Sequence, residues 1–332
     1  MRVFVASILW SLGLLSIVCS ADAVNEGDFD AFEYVPSWRI VSEALTSGES
    51  DIEDLHDSIA PLINATKNAY SGDLADPIGQ GFALIANHTP ADGMNALAYR
   101  GSASRVIVAY RGTRSISDEC ADVLLFTPND PLPDECEAFS KDTLDYVARA
   151  HEFAEEALAA AGDAEDGFDV VFTGHSLGAS LAQLMALSFH GTASSNSSNT
   201  YRAIAFAPAG IKEIAMRDGF PTKDAKKVAV VLVNKYDPVY TSTLRTEVGS
   251  VCEFVGTHKP LLCYCCVSPM ATENASVMAR RLRPLREGIS FSREMSKMSK
   301  MSFCCRVCMQ KAHRYPNYIR FFEQMTQVPE CI

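Results

Sequence analysis

The chain has 332 residues, 48% of them hydrophobic, and a formal net charge of −12 at pH 7. It is long enough for one large α/β domain or two smaller ones with a sizeable core, and we expect a single domain. The acidic balance argues against nucleic acid as a partner, because a phosphate backbone requires a basic surface.

Residues 1–23 have the pattern of a secretory signal peptide. Arg2 precedes an apolar run over residues 3–18, and residues 21–23 form a small-residue cleavage site, Ala-Asp-Ala. The run is barely long enough to span a bilayer, so a retained membrane anchor is the alternative. We expect a secreted protein over residues 24–332, with no stable membrane span once the signal is removed.

The cysteine pattern is typical of an oxidising compartment. The chain has 11 cysteines, and loss of Cys19 with the signal peptide leaves an even number, which suits disulfides. Clusters at 263–266 and 304–308 could instead bind zinc, but their spacing is irregular and the secretory signal favours disulfides. We therefore expect no metal and no cofactor. Sequons that would suit glycosylation begin at Asn64, Asn87, Asn196 and Asn274.

Apolar runs and helical periodicities alternate along the middle of the chain. Residues 24–75 read as an acidic helical lead-in, and a helix candidate over 140–160 has Ser140 as its N-cap and Gly162 just beyond its end. This alternation predicts an α/β fold with a mostly parallel sheet and helices on both faces. The predicted buried strands are the runs at 82–86, 106–110, 168–172, 203–206 and 228–233.

A basic, cysteine-rich insertion occupies about residues 263–311. Its Lys and Arg residues concentrate over 280–311, where four apolar residues recur at helical spacing. This stretch predicts either a basic amphipathic helix on a lipid surface or a solvated, partly disordered loop. The recurring apolar residues are Phe291, Met295, Met298 and Met301.

The most informative motif is Gly-His-Ser-Leu-Gly at 174–178, between the strand at 168–172 and a helix-like run over 179–189. At such a junction, Gly-x-Ser-x-Gly is the nucleophile elbow of α/β-hydrolases, in which a sharp turn exposes the serine oxygen. The serine backbone is strained, and the glycines let strand and helix approach without a collision of β-carbons. An ordinary glycine-rich turn is the alternative; the flanking strand and helix favour Ser176 as a nucleophile.

An active serine requires a base and a carboxylate that orients the base. Asp237 directly follows the strand at 228–233, and active groups gather at strand carboxyl ends in open α/β sheets. An Asp before Pro238 could instead only begin a turn, and Asp218 and Asp224 are weaker alternatives for the acid.

His258 and His313 are the histidines that follow Asp237. In α/β-hydrolases the acid precedes the histidine along the chain, and a late histidine on a loop is the expected base, so we favour His313. His175, beside the serine, cannot fold back to serve it. The remaining histidines are interpreted as ordinary surface or helix residues: His56, His88, His151 and His190.

A tetrahedral intermediate needs at least two preorganised hydrogen-bond donors. One is the N–H of Leu177, the residue after the nucleophile. The second is expected from a loop after another strand, and Thr113 follows the run at 106–110. Its N–H could donate while its hydroxyl helps to hold the loop.

Four sequence blocks stand in a characteristic order: VAYRGTRS at 108–115, GHSLGA at 174–179, FAPAG at 206–210 and VNKYDPV at 233–239. Together they resemble the class 3 lipases, typified by secreted fungal triacylglycerol lipases. The resemblance covers roughly residues 80–240, and His-Arg-Tyr at 313–315 is similar to the family's late histidine with a nearby aromatic residue.

The resemblance implies an α/β-hydrolase fold and hydrolysis of carboxylic esters. It implies Ser176, Asp237 and His313 as a catalytic triad, and Thr113 with Leu177 as the oxyanion hole. Each of these residues stands at the matching position of a motif quoted above.

The resemblance also implies a lid after the oxyanion loop, at 116–133. The apolar residues at 123–126 could meet lipid when such a lid opens, or could form a core strand. Cys120 and Cys136 bracket the segment, and we expect a disulfide between them. At 136–139, Cys-Glu-Ala-Phe replaces the His-x-Gly-Phe usual in the family.

These observations predict a secreted serine hydrolase that cleaves carboxylic esters of lipids, in the first place a triacylglycerol lipase acting at a lipid–water interface. A phospholipase or a soluble-ester esterase of the feruloyl type would use the same residues on a different alcohol. A secreted binding protein that kept the scaffold and lost turnover is the alternative from another class.

Overall fold

A computed structural model describes residues 52–79, 81–91, 93–102, 104–129, 131–165, 167–192, 198–223, 225–234, 237, 239, 248–254, 313–324 and 329–331. All of them lie within the compact unit Phe32–Ile332. The expected signal peptide at 1–23 and the basic insertion at 263–311 lie outside the described residues, as do Asp224 and His258.

The described strands form one eight-stranded sheet, ordered in space as in sequence. They are β1 (Ala83–His88), β2 (Ala96–Arg100), β3 (Arg105–Tyr110), β4 (Asp169–His175), β5 (Thr200–Phe206), β6 (Ala229–Asn234), β7 (Ser250–Phe254) and β8 (Glu330–Cys331). Strands β3 to β7 run parallel, while β1, β2 and β8 pair antiparallel at the two edges. The predicted mostly parallel sheet is confirmed.

The helices connect these strands and cover the sheet. They are α1 (Ile52–Ser71), α2 (Ile116–Phe126), a 3₁₀ helix (Asp134–Ala138), α3 (Lys141–Leu144), α4 (Tyr146–Ala161), α5 (Leu177–Thr192), α6 (Lys212–Arg217), α7 (Ala225–Val228) and α8 (Tyr315–Glu323). Within the described part of the chain, no helix is both long and apolar enough to cross a bilayer.

Side chains of the central strands alternate between two buried faces. Val108 and Phe172 belong to one core cluster with apolar residues of α4 and α5. On the other face, α1 contacts β3 and β4, and α8 contacts α1. Phe322 of α8 packs on Phe206 with ring centroids 5.8 Å apart. The predicted placement of helices on both faces is therefore confirmed, and the fold is that of an α/β-hydrolase.

The helix predicted over 140–160 is interrupted at Asp145. Ser140 caps α3 by accepting a hydrogen bond from Thr143 N–H, as its predicted capping role requires. Asp145 then accepts a hydrogen bond from Ala148 N–H and caps α4, so the continuous helix of the prediction is wrong at this point.

The segment after the oxyanion loop begins with a helix. Ser115 and Asp118 form a capping box that starts α2, so the alternative of a core strand at 123–126 is wrong. Leu125 is buried in the main core, and Phe126 packs against it. The predicted disulfide between Cys120 and Cys136 is confirmed, with an S–S distance of 2.05 Å.

A second disulfide joins β7 to β8, between Cys252 and Cys331, a pairing that the sequence did not predict. The sequon at Asn64 is not available in the fold, because this side chain is buried in α1 and its amide donates to the Ile78 carbonyl at 3.2 Å. Asn87 lies exposed on β1.

The Cys120–Cys136 disulfide ties the middle of the 3₁₀ helix to α2, and its removal tests that constraint. Replacing both cysteines by alanine is expected to lower the free energy of unfolding by about 3 kcal/mol, because the unfolded chain regains the entropy of a short loop. Urea denaturation of both proteins measures the difference. Equal stability of the two proteins would contradict the expectation.

Candidate active site

The nucleophile elbow stands between β4 and α5. Strand β4 ends at His175, α5 begins at Leu177, and Ser176 between them has a φ angle of 57°. A non-glycine residue in this left-handed region is strained, and its surroundings must hold it there. The Ser176 N–H donates to the Phe206 carbonyl at 3.0 Å, which anchors the turn to the neighbouring strand.

The two glycines of the motif are required by close packing. A β-carbon on Gly174 would lie 2.6 Å from the Tyr110 carbonyl oxygen, and one on Gly178 would lie 2.1 Å from the same atom. Both distances are shorter than any tolerated contact, so side chains here would force β3 away from the turn. A β-carbon on Gly174 would also lie 2.5 Å from the carbonyl carbon of Gly178 in α5, so the predicted close approach of strand and helix is confirmed.

The structure brings Ser176, His313 and Asp237 together. His313 Nε2 lies 2.9 Å from Ser176 Oγ, and His313 Nδ1 lies 2.9 Å from both carboxylate oxygens of Asp237. Because the carboxylate can only accept, Nδ1 carries the proton, and Nε2 is left to accept from the serine hydroxyl. An imidazole and a carboxylate thus lie in line with the serine hydroxyl, although they come from distant parts of the chain.

Asp237 is fully buried after β6. Burial by itself raises its pKa, but the charge of His313 and hydrogen bonds from His313 and Tyr318 outweigh burial, so the pKa of Asp237 is lowered overall. Val239 N–H donates to Oδ1 at 2.8 Å, and the Tyr318 hydroxyl donates to Oδ2 at 2.7 Å. The acid is therefore held ionised and oriented.

His175 contributes to the site in a way that the sequence did not reveal. Its Nε2 lies 2.6 Å from the His313 carbonyl oxygen, and its Nδ1 lies 3.0 Å from the Tyr70 hydroxyl. Burial, and then the charge of His313, lower the pKa of His175 to about 3, so the ring is neutral. A carbonyl can only accept, so Nε2–H donates to His313 and the Tyr70 hydroxyl donates to Nδ1. His175 thus supports the backbone of the base.

Tyr70, at the end of α1, was not predicted either. Its ring stacks on Tyr315 with centroids 4.8 Å apart, and burial raises the pKa of its hydroxyl. A β-carbon on Gly112 would lie 2.1 Å from the Tyr70 hydroxyl and 3.2 Å from Ser176 Cβ. The oxyanion loop therefore lies directly against the nucleophile. No local motif marked Tyr70, although its position at the end of the predicted lead-in helix was a weak signal.

Thr113 is anchored by its side chain. Its hydroxyl donates to Asp122 Oδ2 at 2.7 Å, which is the loop-holding contact expected from the sequence. Burial raises the pKa of Asp122 to about 7. Leu177 is the first residue of α5, so its N–H is among those that have no acceptor within the helix and are available to an anion.

A buried carboxylate, Asp118, holds the rest of the oxyanion loop. Its Oδ2 accepts from Arg111 Nη2 at 3.0 Å, and the Tyr146 hydroxyl donates to Oδ1 at 2.7 Å. The backbone N–H groups of Arg114 and Ser115 also donate to Oδ2 at 2.9 Å. The loop is therefore rigid on both sides of Thr113.

Asp218 is the one alternative for the acid that the structure describes, and it lies outside this cluster. Asp218 pairs with the adjacent Arg217 at 2.7 Å, at the end of α6. No group of three or more His, Cys, Asp or Glu residues suited to a metal ion occurs in the described ranges. The two cysteine clusters considered for zinc, at 263–266 and 304–308, lie outside those ranges.

The strand–serine–helix turn at the carboxyl edge of a mostly parallel sheet defines the fold class as α/β-hydrolase. Residues 107–246 match the family model described as lipase (class 3). The resemblance predicted from the sequence is thereby confirmed over this region, and with it the enzyme class, a carboxylic ester hydrolase. No curated protein sequence matches the chain.

Several solved structures are similar to this chain at low identity. A lipase from Rhizopus microsporus var. chinensis is 16% identical, with 60% of this chain and 74% of that chain covered and a TM-score of 0.40. A triacylglycerol lipase described as having a serine protease triad is 20% identical, with 61% and 81% covered and a TM-score of 0.41. The Rhizomucor miehei triacylglyceride lipase is 16% identical, with 61% and 81% covered and a TM-score of 0.37.

Asp122→Asn tests the desolvated carboxyl group beneath Thr113. The pKa of Asp122 is raised in the folded state from 3.8 to about 7, so the folded wild-type protein loses stability as the pH rises through this interval. Asparagine stays neutral at every pH, and its side-chain oxygen can still accept the hydrogen bond from the Thr113 hydroxyl. We expect the difference in free energy of unfolding, variant minus wild type, to grow by about 2–4 kcal/mol between pH 4 and pH 8.

Urea denaturation at several pH values measures this difference. Asp163→Asn, which replaces an exposed carboxylate after α4, is the matched control and should follow the wild-type profile. A difference for Asp122→Asn that does not change with pH would contradict the expectation.

Proposed function

We propose that the protein is a secreted serine hydrolase that cleaves carboxylic esters of lipids, with triacylglycerol as the leading substrate, through an acyl-enzyme. The observation that carries the proposal is the alignment of Ser176 Oγ, the His313 ring and the Asp237 carboxylate, each 2.9 Å from the next. The match of residues 107–246 to class 3 lipases supports it independently.

The geometry supports a two-step mechanism. Ser176 Oγ bonds to the ester carbonyl carbon while His313 Nε2 takes the hydroxyl proton, and Asp237 stabilises the imidazolium through Nδ1–H. The intermediate collapses with breakage of the carbon–oxygen bond to the alcohol, which leaves with the proton from Nε2. Water then attacks the acyl-enzyme by the same proton route and releases the acid.

The negative oxygen of the intermediate requires donors that are already in place. The N–H of Leu177 lies at the N-terminus of α5, where the helix dipole adds positive potential. We assign the second donor to Thr113 N–H, on the loop that Asp118 and Asp122 hold. Neither donor needs to reorganise during the reaction.

Exposed apolar side chains on two helices that follow strands of the site support a lipid substrate. Ile116 on α2 is 56% exposed and Met216 on α6 is 66% exposed. Helix α2 follows β3 and α6 follows β5, so both begin at the carboxyl edge of the sheet, as Ser176 does. Arg217 Nη1 donates to the Leu125 carbonyl, which brings the two helices together. This edge suits contact with an ester aggregate.

Secretion is part of the proposal. Two disulfides among the described residues are compatible with an oxidising compartment. The expected signal peptide at 1–23 provides the route, and mass spectrometry of the exported protein would detect its removal.

Labelling with a fluorophosphonate tests the nucleophile. The wild-type protein should label, and Ser176→Ala should not, while Ser102→Ala, an exposed serine in the turn before β3, is the matched control that should label normally. An inactive binding protein would fail to label in its wild-type form, and labelling of Ser176→Ala would overturn the assignment.

The same assay, with turnover of a short soluble ester, tests the base and the acid. His313→Ala and Asp237→Asn should each lower kcat by about 10⁴-fold, whereas His258→Ala should retain activity. Retained activity in His313→Ala, with loss in His258→Ala, would transfer the role of base to His258.

A substrate panel tests the lipid assignment. We expect the rate on emulsified triacylglycerol to exceed the rate on short soluble esters and on phospholipid vesicles. The double variant Ile116→Ser/Met216→Ser should lower the emulsion rate by about tenfold, because it loses apolar burial at the interface, and should leave the soluble-ester rate unchanged. Preference for phospholipid or for feruloyl-type esters would redirect the substrate assignment.

A further inference from the structure

Tyr318, on helix α8, contacts the buried carboxylate of Asp237. Tyr318 is 2% exposed, and its hydroxyl donates to Asp237 Oδ2 at 2.7 Å. The same hydroxyl oxygen accepts from the N–H of Asn234, the last residue of β6, at 3.0 Å. One phenol group therefore bridges the end of the strand and the carboxylate that follows it.

The ring of Tyr318 has little freedom to move. It packs edge-on against Phe254 with centroids 5.2 Å apart and against His175 at 5.4 Å. The next turn of α8 packs on the same strand, with Phe321 stacked on Phe254 at 3.9 Å. The hydroxyl position is thus set by the sheet, not by the helix alone.

The hydrogen bond from Tyr318 helps to fix the orientation of the Asp237 carboxylate, which His313 alone does not fix. His313 Nδ1 is 2.9 Å from both oxygens of Asp237, so the imidazole alone does not fix the rotation of the carboxylate. Val239 N–H donates to Oδ1 and Tyr318 donates to Oδ2, so each oxygen has its own donor. The plane of the carboxylate is then fixed with both oxygens towards the imidazole.

We propose that Tyr318 is a positioning residue of the proposed catalytic site, which orients Asp237 and tempers its pull on the His313 proton. The inference rests on the proposed function. Base and positioning group come from one short segment, 313–318, so the docking of α8 places both on the acid at once.

Loss of the hydroxyl has two separable effects. A hydrogen bond to a charged group contributes about 1.5–3 kcal/mol, so kcat on a soluble ester should fall by about ten- to a hundredfold with little change in KM. Asp237, relieved of a donor, also attracts the His313 proton more strongly, so the acidic limb of kcat/KM against pH should move to higher pH. Among the described residues, the other titratable groups that face this pair are His175 on β4 and Asp122 on α2, and the substitution of Tyr318 replaces neither of them.

Tyr318→Phe, which keeps the ring, is the test. Tyr99→Phe, on β2, is the matched control for lost stability. It removes another buried phenol hydroxyl, which accepts a hydrogen bond from the Asn68 side-chain amide at 3.2 Å. The control should keep the wild-type kcat and pH profile. In Tyr318→Phe, kcat should fall when it is measured well below the thermal midpoint of each variant, where both variants are fully folded.

A readout without substrate separates this inference from the proposed function. The Nδ1 proton of His313 can be followed by NMR against pH, and its titration midpoint should move upward in Tyr318→Phe whether or not an ester is turned over. An unchanged midpoint, or activity lost only in proportion to the folded fraction, would overturn the role of Tyr318. Failure of the wild-type protein to label or to hydrolyse any ester would overturn the proposed function instead.

Discussion

One buried negative charge, the carboxylate of Asp237, organises the carboxyl edge of the sheet. A carboxylate without solvent is stable only if donors replace the water it has lost. Here the donors are His313 Nδ1–H, Val239 N–H and the Tyr318 hydroxyl. Because the charge persists, His313 is oriented with its Nε2 facing Ser176. The proposed chemistry therefore depends on how one carboxylate is kept ionised in the interior.

The elbow and the oxyanion loop are fixed by backbone contacts of the same edge. A side chain at Gly112 would collide with the His175 carbonyl and the Tyr70 hydroxyl, and the His175 ring supports the carbonyl of His313. Helix α2 is part of this arrangement, because Asp118 and Asp122 hold the oxyanion loop from within it. Any movement of the first half of α2 would therefore also disturb the loop at 111–115, which carries the proposed oxyanion donor Thr113.

Local patterns predicted much of the fold. Unbroken apolar runs identified the parallel strands β3 to β6 because these strands are largely buried, whereas the parallel strand β7, which is only partly buried, was missed. The same information misled at 123–126, because a short apolar run fits a strand or a helix equally well. The capping box of Ser115 and Asp118, which starts helix α2 upstream of this run, decides for the helix. The helix break at Asp145 was missed because a side chain that caps one helix end looks, in sequence, like an ordinary polar position.

The sequence by itself determined the elbow, since a strained serine with small neighbours is a local requirement of turn geometry. It also predicted five of the eight described strands, β1 and β3 to β6, and the residue types of the candidate triad. Only the tertiary structure decided which residues support the candidate triad. His175 contacts Tyr70, 105 positions away in the chain, and Tyr318 contacts Asp237, 81 positions away. Contacts at such separations leave no periodicity along the chain, because they exist only after the helices have docked on the sheet.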